Sequence, residues 1–476
     1  MSSWANTGSL DLHLDLRAAI APGARGVRDT LLTALREAVR SGRLAAGTVL
    51  PPSRTMAADL GVARNTVADV YAELVAEGWL ASRQGAGTWV VDSEHLKRTR
   101  QPAAQPRGTP AVPTHNFLPG SPDVSQFPRA AWLSSTRRAL TSASNEALRT
   151  GDSRGRPELR QALAEYLARA RGVRVAPDNV VITAGTRHSV AILARLFGPE
   201  RPIAVEAYGL FIFRDCIAAT GGTTTPIGFD DMGAAVSDLH GLDTPGVLVT
   251  PVHHYPQGVP LHPSRRSGIV DWAEQANAYV LEDDYDGEFR YDRQPVGALQ
   301  SLDPDRVLYL GSASKSLSPV LRLGWMVLPT DLADAVVAAA GVHQWFVDGI
   351  TQLTMADFIT TGNYDKHIRR MRNTYRRRRD TLVHRLAPFA PAVTVHGLCA
   401  GLHLLLTLPE GAEPELLRRA GEAGVGVAGL ARLRHPLAGN DIPQPDGVIV
   451  NFGTPGEHAF PQAVDALCAV VADTVR

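Results

Sequence analysis

Two hydrophobic patterns occupy different parts of the chain. Residues 28–44 place Leu31, Leu35, Ala38 and Val39 on one stripe of a helix, which predicts a first core helix. After residue 116, short apolar runs rich in β-branched residues alternate with helical stretches. Such runs are typical of strands buried on both faces of a mostly parallel sheet. The predicted strands are 180–183, 202–206, 246–250, 278–284, 306–312 and 323–329.

The two patterns are separated by residues 92–115. This stretch is rich in Pro, Ala, Gln, Arg and Thr and has no apolar periodicity, which predicts a linker. A chain of 476 residues is also long enough for two or three domains. We therefore expect a domain over 1–91, a linker over 92–115 and a second domain over 116–476.

The first domain carries a helix-turn-helix pattern. Ser53 is expected to cap a helix that ends at Gly61, and another helix follows at once. The residues that would face inward from this second helix are Val67, Val70, Tyr71 and Leu74. Its polar first turn, formed by Arg64, Asn65 and Thr66, is the expected recognition surface.

Two β-prone pieces follow the second helix of this pattern. They flank a glycine-rich tip that contains Arg83, Gly85 and Gly87. Such a tip suits a wing that brings the backbone against a phosphate or into a groove.

The charge balance limits what the domain can do without specific contacts. The chain has 48 basic and 48 acidic residues, so no overall field attracts nucleic acid, membranes or acidic substrates. Residues 1–95 contain nine Arg, no Lys and ten Asp or Glu. DNA binding must therefore come from individually placed residues. We expect the run Arg376–Arg379 to lie on the solvated face of a long helix, in preference to a contact with nucleic acid.

The cysteines and the start of the chain indicate a compartment. Cys216, Cys399 and Cys468 are far apart without metal-type spacing, which fits reducing conditions. No signal-like start or membrane-length apolar stretch is visible, so we expect a cytoplasmic protein without a membrane partner.

The second domain contains a candidate reactive lysine. Lys315 stands in the sequence GSASKSLSPVLRLGW, between Ser312, Ser314 and later serines, with Arg322 following. A lysine near hydroxyls and a second cation is favoured as a neutral Schiff-base nucleophile, and the same groups could hold a phosphate. The pattern SxxK also occurs in penicillin-binding enzymes, but their SDN and KTG companions are missing here.

The predicted strand 278–284 runs into a block of acidic residues at its carboxyl end, at the sheet edge where ligands bind. If Lys315 carries pyridoxal phosphate, a carboxylate must keep the pyridine nitrogen protonated, and Asp283 is our choice. Tyr285 would then reach the phenolic oxygen of the ring. The alternative is that these acids cap a loop or bind a divalent metal; we predict no metal.

A strand, a turn and a helix that starts near Thr186 form a candidate anion site. Backbone N–H groups at a helix start attract phosphate. We expect Gly185, Thr186 and Arg187 to contact the cofactor phosphate.

These motifs carry a resemblance over nearly the whole chain. Residues 41–91 resemble the winged-helix domain of GntR-type regulators, and residues from Asn116 onward look like a fold-type-I aminotransferase. The pairing is the plan of the MocR/GabR-type regulators. It implies an α+β winged helix-turn-helix joined to an α/β pyridoxal-phosphate domain with a small C-terminal subdomain. It also implies contacts with operator DNA from Arg54, Arg64 and Thr66 and from the wing around Gly85 and Gly87.

The resemblance further implies what the second domain binds. A homodimer, with the domains swapped between subunits, would sense pyridoxal phosphate itself or an amino compound through an aldimine at Lys315. For the carboxylate of such an effector, alignment by the preceding GV-x-V favours Arg432 over Arg434. An Arg is expected at this place because its guanidinium can bind a carboxylate through two hydrogen bonds.

The chain departs from the aminotransferase pattern at three places. Residues 206–210 read Glu-Ala-Tyr-Gly-Leu where relatives end in Tyr, which leaves Tyr208 or Phe211 to contact the cofactor ring. Thr150 stands where a Tyr is expected, and Tyr255 ends the segment where transaminating relatives place an Asn. The sequence therefore favours a regulator with slow or absent transamination. The alternatives are an aminotransferase with an accessory DNA-binding domain and a GntR regulator without cofactor.

Overall fold

The computed structural model describes residues 26–83, 87–91, 112–149, 151–291, 296–341, 347–397 and 400–475. The chain forms two compact units that divide between residues 111 and 112, and each is described by itself. Within the described ranges, no helix is both long enough and apolar enough to cross a membrane.

Over its described residues, 26–83 and 87–91, the N-terminal unit is a three-helix bundle with a small antiparallel sheet. Its helices are α1 (Val27–Arg40), α2 (Ser53–Leu60) and α3 (Arg64–Ala76). Its strands are β1 (Val49–Leu50), β2 (Leu80–Arg83) and β3 (Gly87–Val90), in the order β1-β3-β2. The apolar residues predicted to face inward are buried, as expected for packing of amphipathic helices.

The start of α2 differs from the prediction. Ser53 is the first helical residue, Pro52 occupies the capping position, and no side chain caps the helix. Proline at this place sets an extended backbone angle that leads into the helix but offers no acceptor side chain. The predicted end is confirmed, because Gly61 takes the left-handed conformation, with φ of 66°, that terminates α2.

The C-terminal unit is built on a seven-stranded sheet in the order β5-β13-β12-β11-β10-β6-β7. These strands are β5 (Val180–Thr183), β6 (Ile203–Glu206), β7 (Thr224–Ile227), β10 (Gly246–Val249), β11 (Tyr279–Asp283), β12 (Val307–Ser312) and β13 (Gly324–Val327). The six predicted strands are confirmed, and β7 was missed. Only β13 runs antiparallel within this sheet.

Helices cover the sheet and build a smaller C-terminal part. The helices are α4 (Arg129–Ser142), α5 (Pro157–Arg171), α6 (Thr186–Phe197), α7 (Phe211–Ala218), α8 (Pro263–Gln275), α9 (Thr330–Ala340), α10 (Gly349–Thr360), α11 (Asn363–Leu386), α12 (Ala412–Glu422) and α13 (Phe460–Val475). A four-stranded sheet has the order β14-β15-β18-β17, from β14 (Thr394–His396), β15 (His403–Thr407), β17 (Ala428–Gly429) and β18 (Gly447–Asn451). Two pairs remain, β8 (Phe229–Asp230) with β9 (Gly233–Ala234) and β4 (His115–Asn116) with β16 (Val425–Gly426).

Strand β4 shows that the predicted linker ends earlier than residue 115. His115 pairs with Val425 and therefore lies in the C-terminal unit, although the sequence placed it in the linker. The pairing joins residues about 310 positions apart, so no local pattern could indicate it. Residues 92–111 lie outside the described ranges.

The arginine run on α11 is not uniformly solvated, which corrects the expectation for Arg378. Arg378 is 4% exposed and forms ion pairs of 2.7 Å with Asp123 and Glu457. It also donates to the carbonyl groups of Phe452 and Pro455. A buried cation is tolerated because these acceptors replace its hydration.

Candidate functional site

A cavity of about 550 Å³ opens at the carboxyl edge of the large sheet. Parallel strands β5, β6, β10, β11 and β12 all end there, and β13 begins there. The predicted residues that line it are Gly185, Thr186, Arg187, Asp283, Tyr285, Ser312, Ser314, Lys315, Arg322 and Arg432. A smaller cavity of about 160 Å³, beside Arg149 and Gln352, contains none of them. The chemistry suggested by the sequence therefore meets in the larger cavity.

Lys315 is the amine of the cavity. Its Nζ donates a 2.8 Å hydrogen bond to the carbonyl of Gly120. Burial lowers the pKa of Lys315, although the nearby carboxyl of Asp283 opposes the shift. The loop that carries the lysine is tied to α11, because His367 Nε2 lies 2.7 Å from the carbonyl of Ser316. A lysine with a lowered pKa is a better nucleophile at neutral pH.

Asp283 differs from two neighbouring acids in its hydrogen bonding to the described residues. Glu282 accepts hydrogen bonds from the backbone N–H groups of Leu299 and Gln300. Asp284 pairs with Arg171 at 2.7 Å. Asp283, by contrast, is 5% exposed, and its Oδ1 has no hydrogen-bond partner among the described residues. Burial and the neighbouring Asp284 raise the pKa of Asp283 to about 8. A buried carboxyl in this state is suited to a cationic N–H donor from a ligand.

One end of the cavity is arranged for an anion. Gly185 precedes α6 and has φ of 108°. A Cβ added to Gly324 would lie only 2.6 Å from the Cα of Gly185, so the two backbone segments pack closely at these glycines. The N-terminus of α6 therefore opens between β5 and β13. Arg322 takes the left-handed conformation with φ of 48°, rare for a residue with a side chain. Arg187 and Arg322 are exposed and form no ion pair with a described residue.

The aromatic residues do not all occupy the expected places. The Tyr285 hydroxyl lines the cavity and donates a 3.0 Å hydrogen bond to the carbonyl of His253. Tyr208 is 1% exposed, does not line the cavity, and donates to the carbonyl of Pro443. Its assignment to the cofactor ring is therefore corrected, because the backbone turns its side chain into the core beside Phe229. Phe211, the other aromatic considered, lines the cavity.

The two candidate arginines for a carboxylate differ in their contacts. The Arg432 guanidinium lies 4.2 Å from the centroid of the Phe211 ring and has no hydrogen bond to a described residue. Arg434 donates to the carbonyl of Gly439 at 2.7 Å and also to the side-chain amide oxygen of Gln444. Only Arg432 lines the cavity. A stacked guanidinium keeps its edge available for a carboxylate.

Two residues of the cavity were missed by the sequence analysis. The Gly120 carbonyl, which accepts from Lys315, lies in a loop without any chemical signal. Glu206 ends β6 in the cavity wall and accepts a 2.8 Å hydrogen bond from Thr250 Oγ1. Burial raises the pKa of Glu206 to about 8. An acid at the end of a buried strand was the signal used for Asp283, and it applied equally to Glu206.

Most of the described residues predicted to contact DNA are exposed in the N-terminal unit. Arg54, Arg64, Asn65 and Arg83 are exposed, and Thr66 is half-buried at the first turn of α3. Gly87 has φ of 87° at the end of the hairpin tip, whereas Gly85 lies outside the described residues.

Two acids of the unit form ion pairs with arginines that are not among the predicted DNA contacts. Glu73 pairs with Arg28, and Glu77 pairs with Arg36 at 2.6 Å. Arg54, Arg64 and Arg83 have no ion pair with a described residue. This distribution explains how a domain without net positive charge can offer cations to DNA phosphates.

Comparisons with known proteins agree with both units. Residues 28–90 match the model of bacterial regulatory proteins of the gntR family, and residues 120–428 match aminotransferase class I and II. The HTH-type pyridoxine biosynthesis transcriptional regulator PdxR of Corynebacterium glutamicum is 31% identical, over 93% of this chain and 96% of its own. The probable rhizopine catabolism regulatory protein MocR of Rhizobium meliloti is 33% identical, over 84% of this chain and 85% of its own.

A solved structure gives the fold of the C-terminal unit. The kynurenine aminotransferase of Pyrococcus horikoshii superposes with a TM-score of 0.68 at 24% identity, over 80% of this chain and 94% of that one. The second unit is thus a fold-type-I aminotransferase-like domain with a mixed sheet flanked by helices. Together with the gntR-type winged helix and the full-length relatives, this shows that the chain belongs to the MocR/GabR-type subfamily of GntR transcription regulators.

Proposed function

We propose that the C-terminal unit holds pyridoxal phosphate at Lys315, and that the cofactor, or an amino compound that reacts with it, sets the affinity of the N-terminal unit for operator DNA. The observation that carries the proposal is the unpartnered Oδ1 of Asp283 in the wall of a cavity that also contains a lysine of lowered pKa. Members of the fold-type-I family bind this cofactor, and the donor set present here fits it.

Each end of the cofactor has candidate partners. Asp283 holds the proton on the pyridine nitrogen. The start of α6 at Thr186, with Arg187, Ser312, Ser314 and Arg322, holds the phosphate. Tyr285 contacts the phenolic oxygen. When bound, the cofactor supplies an aldehyde that condenses with primary amines and a ring that withdraws electrons. Arg432 holds the carboxylate of an amino-acid effector.

A sensor needs fewer of these residues than an enzyme. Capture of an amine requires Lys315, Asp283 and the phosphate site, whereas turnover also requires later proton transfers and release of product. Leu210 stands in the cavity where relatives place a stacking aromatic, and the buried hydroxyl of Tyr255 has no partner among the described residues. We therefore propose that net transamination is slow or absent. The intact Lys315 and Asp283 keep an aminotransferase with an accessory DNA-binding domain as the second candidate.

A homodimer completes the proposal, since operators with two half-sites are bound by two-fold symmetric proteins. Leu133 and Leu140 are seven residues apart on α4 and share a face, with 61% and 43% exposed. Ile350 on the neighbouring α10 is 40% exposed. Apolar side chains grouped on one surface support its burial against a second copy. Sedimentation at micromolar concentration should give a dimer, and a monomer would contradict this part.

The attachment point can be mapped chemically. The chain has only three lysines, Lys97, Lys315 and Lys366. Borohydride reduction of the cofactor-loaded protein, followed by peptide mapping, should label Lys315 alone. Lys315→Ala should lose the visible band, and the exposed Lys366→Ala should retain it. A wild type that stays colourless with added pyridoxal phosphate, or a label on another lysine, would contradict the proposal.

Turnover can be measured on the same protein. Candidate amines are titrated while the visible spectrum and DNA binding are followed together, and keto product is then assayed with a 2-oxo acid acceptor. We expect the spectrum and DNA affinity to change at the same amine concentrations without rapid product formation. Fast multiple turnover with unchanged DNA affinity would favour the second candidate.

A further inference from the structure

A buried histidine and aspartate lie directly behind the hydroxyl of Tyr285. The ring of His253 and the carboxylate of Asp286 are 1% and 2% exposed, and His253 Nδ1 lies 2.8 Å from Asp286 Oδ2. The Tyr285 oxygen lies 3.1 Å from the same Nδ1 and 3.0 Å from the carbonyl of His253. His253 thus contacts the Tyr285 oxygen through both its imidazole ring and its backbone carbonyl.

The partners define which proton each atom carries. A carboxylate only accepts hydrogen bonds, so Nδ1 of His253 must hold the hydrogen. The tyrosine proton cannot then point to Nδ1, and the carbonyl of His253 is its acceptor. Nε2 of His253 is buried without a hydrogen-bond partner among the described residues. His253 therefore offers Tyr285 its carbonyl as an acceptor and a share of the Nδ1 hydrogen, which also faces Asp286.

The ring of His253 has little freedom to move. A Cβ added to Gly401 would lie 2.2 Å from Cε1 of His253, so the backbone at Gly401 packs tightly against the His253 ring. The ring of His403 covers it at a centroid distance of 5.0 Å. The donor that faces Tyr285 is consequently fixed in place by packing as well as by Asp286.

We propose that His253, held by Asp286 with its hydrogen on Nδ1, is a positioning residue that aims the Tyr285 hydroxyl at the phenolic oxygen of the cofactor. The inference rests on the proposed function. With the Nδ1 hydrogen shared between the Asp286 carboxylate and the tyrosine oxygen, the tyrosine proton is able to turn from the His253 carbonyl to a phenolate in the cavity. His253 itself lines no part of the cavity and touches the cofactor only through Tyr285.

The readout is the pH titration of the visible band, which reports the proton shared by the phenolic oxygen and the nitrogen of Lys315. Loss of a donor to the phenolate makes that oxygen more basic, so the shared proton is held more tightly and the apparent pKa rises. Other titratable groups face the Tyr285 hydroxyl or the ring of His253: Asp283, Asp286, Lys315, Tyr255, His254 and His403. These side chains are present in every variant at 253 and 285, but Asp286 loses its partner in His253→Leu. His253→Asn controls for that loss, because its amide nitrogen can donate to Asp286 from the position of Nδ1.

Four proteins test the inference. His253→Leu should raise the apparent pKa of the band by about one unit, in the same direction as Tyr285→Phe. The double variant should show no further rise, because both changes remove one interaction. His253→Asn, whose amide nitrogen can occupy the position of Nδ1, should restore most of the wild-type value. A structural role in packing alone would not be rescued by the smaller Asn.

Different results would contradict the inference about His253 and the proposed function. A His253→Leu protein that binds cofactor with a wild-type titration, or a double variant with fully additive shifts, overturns the inference and leaves the proposed function standing. A metal ion bound at one per chain and lost in His253→Leu also overturns it, since the donor atoms of His253, Asp286 and His403 lie within 4.8 Å of one another. A wild type that takes up no pyridoxal phosphate overturns the proposed function and the inference together.

Discussion

At the scale of single residues, the site depends on groups that lack hydrogen-bond partners among the described residues. Three acids near Asp283 are satisfied by backbone N–H groups, Arg171 or His253, whereas one oxygen of Asp283 has no partner among the described residues. An unpaired buried polar atom costs about 1–3 kcal/mol, so its retention points to a ligand that supplies the missing hydrogen bond.

The raised pKa of Asp283 predicts how stability depends on pH without cofactor. The folded carboxyl keeps its proton up to about pH 8, whereas in the unfolded chain it loses the proton near 4. The folded state therefore binds more protons in this interval, and stability falls as the pH rises through it. Melting temperatures of cofactor-free wild type should drop between pH 6 and pH 8, and Asp283→Asn should drop less. Equal drops would contradict the assignment.

The contrast between neighbouring arginines predicts where an effector carboxylate binds. Arg432→Gln should weaken the spectral response to an amino acid about 10–100-fold, because it removes a charge-assisted hydrogen-bond pair. Arg434→Gln is the matched control, since Arg434 is already bonded to the carbonyl of Gly439. An amino-acid response that is insensitive to Arg432→Gln would exclude this residue as the receptor.

Individual residues also show where sequence reasoning ends. Lys315, Asp283 and Thr186 could be predicted because each lies at or just after the carboxyl end of a buried strand, and parallel strands bring these ends together. Tyr208 was assigned wrongly because its alignment position does not determine which way the backbone turns the side chain. Gly120 contributes a carbonyl, which every residue possesses, so no residue type could mark it.

At the scale of elements, periodicity predicted the strands that are apolar throughout and missed the one that is not. Strand β7 reads TTPI, lies at the edge of the sheet and is only half-buried over three of its four residues. A strand with one open edge needs fewer apolar residues, so its hydrophobic signal is weak. Helix α11 illustrates the same limit, because the acid that pairs with Arg378 stands about 250 residues earlier in the chain.

The burial of Arg378 predicts an asymmetric effect on stability along α11. Arg378→Met should lower the free energy of unfolding by about 3 kcal/mol, because the buried carboxylate of Asp123 loses its cation. Arg377→Met, on the exposed side of the helix, should change it by less than about 0.5 kcal/mol. Denaturant unfolding measures both. If both variants lowered the free energy of unfolding by similarly small amounts, the whole run Arg376–Arg379 would be better described as a solvated face of the helix.

The first turn of α3 predicts sequence recognition. Arg64→Ala should weaken operator binding by about 1–3 kcal/mol and relax specificity at one base pair, if the side chain reads a base edge. Arg40→Ala is the control, because Arg40 is exposed on α1 and paired with Glu37. Equal weakening on all sequences would make Arg64 a phosphate contact.

At the scale of the whole molecule, two units with separate chemistry share one chain. The segment that leaves the linker leads within a few residues to Gly120, whose carbonyl accepts the hydrogen bond of Lys315. A change in the bonding of Lys315 therefore alters a contact close to the start of the C-terminal unit. This continuity is the shortest covalent route between the cavity and the N-terminal unit.

The most direct test is the affinity for a duplex selected by the protein itself, measured with and without pyridoxal phosphate and a panel of amines. Wild type and Lys366→Ala should show a change of at least about tenfold, a coupling free energy of about 1.4 kcal/mol. Lys315→Ala should bind the duplex with an affinity that neither cofactor nor amine alters. A wild type whose DNA affinity is the same in all conditions, or a Lys315→Ala protein that responds as the wild type does, would contradict the account.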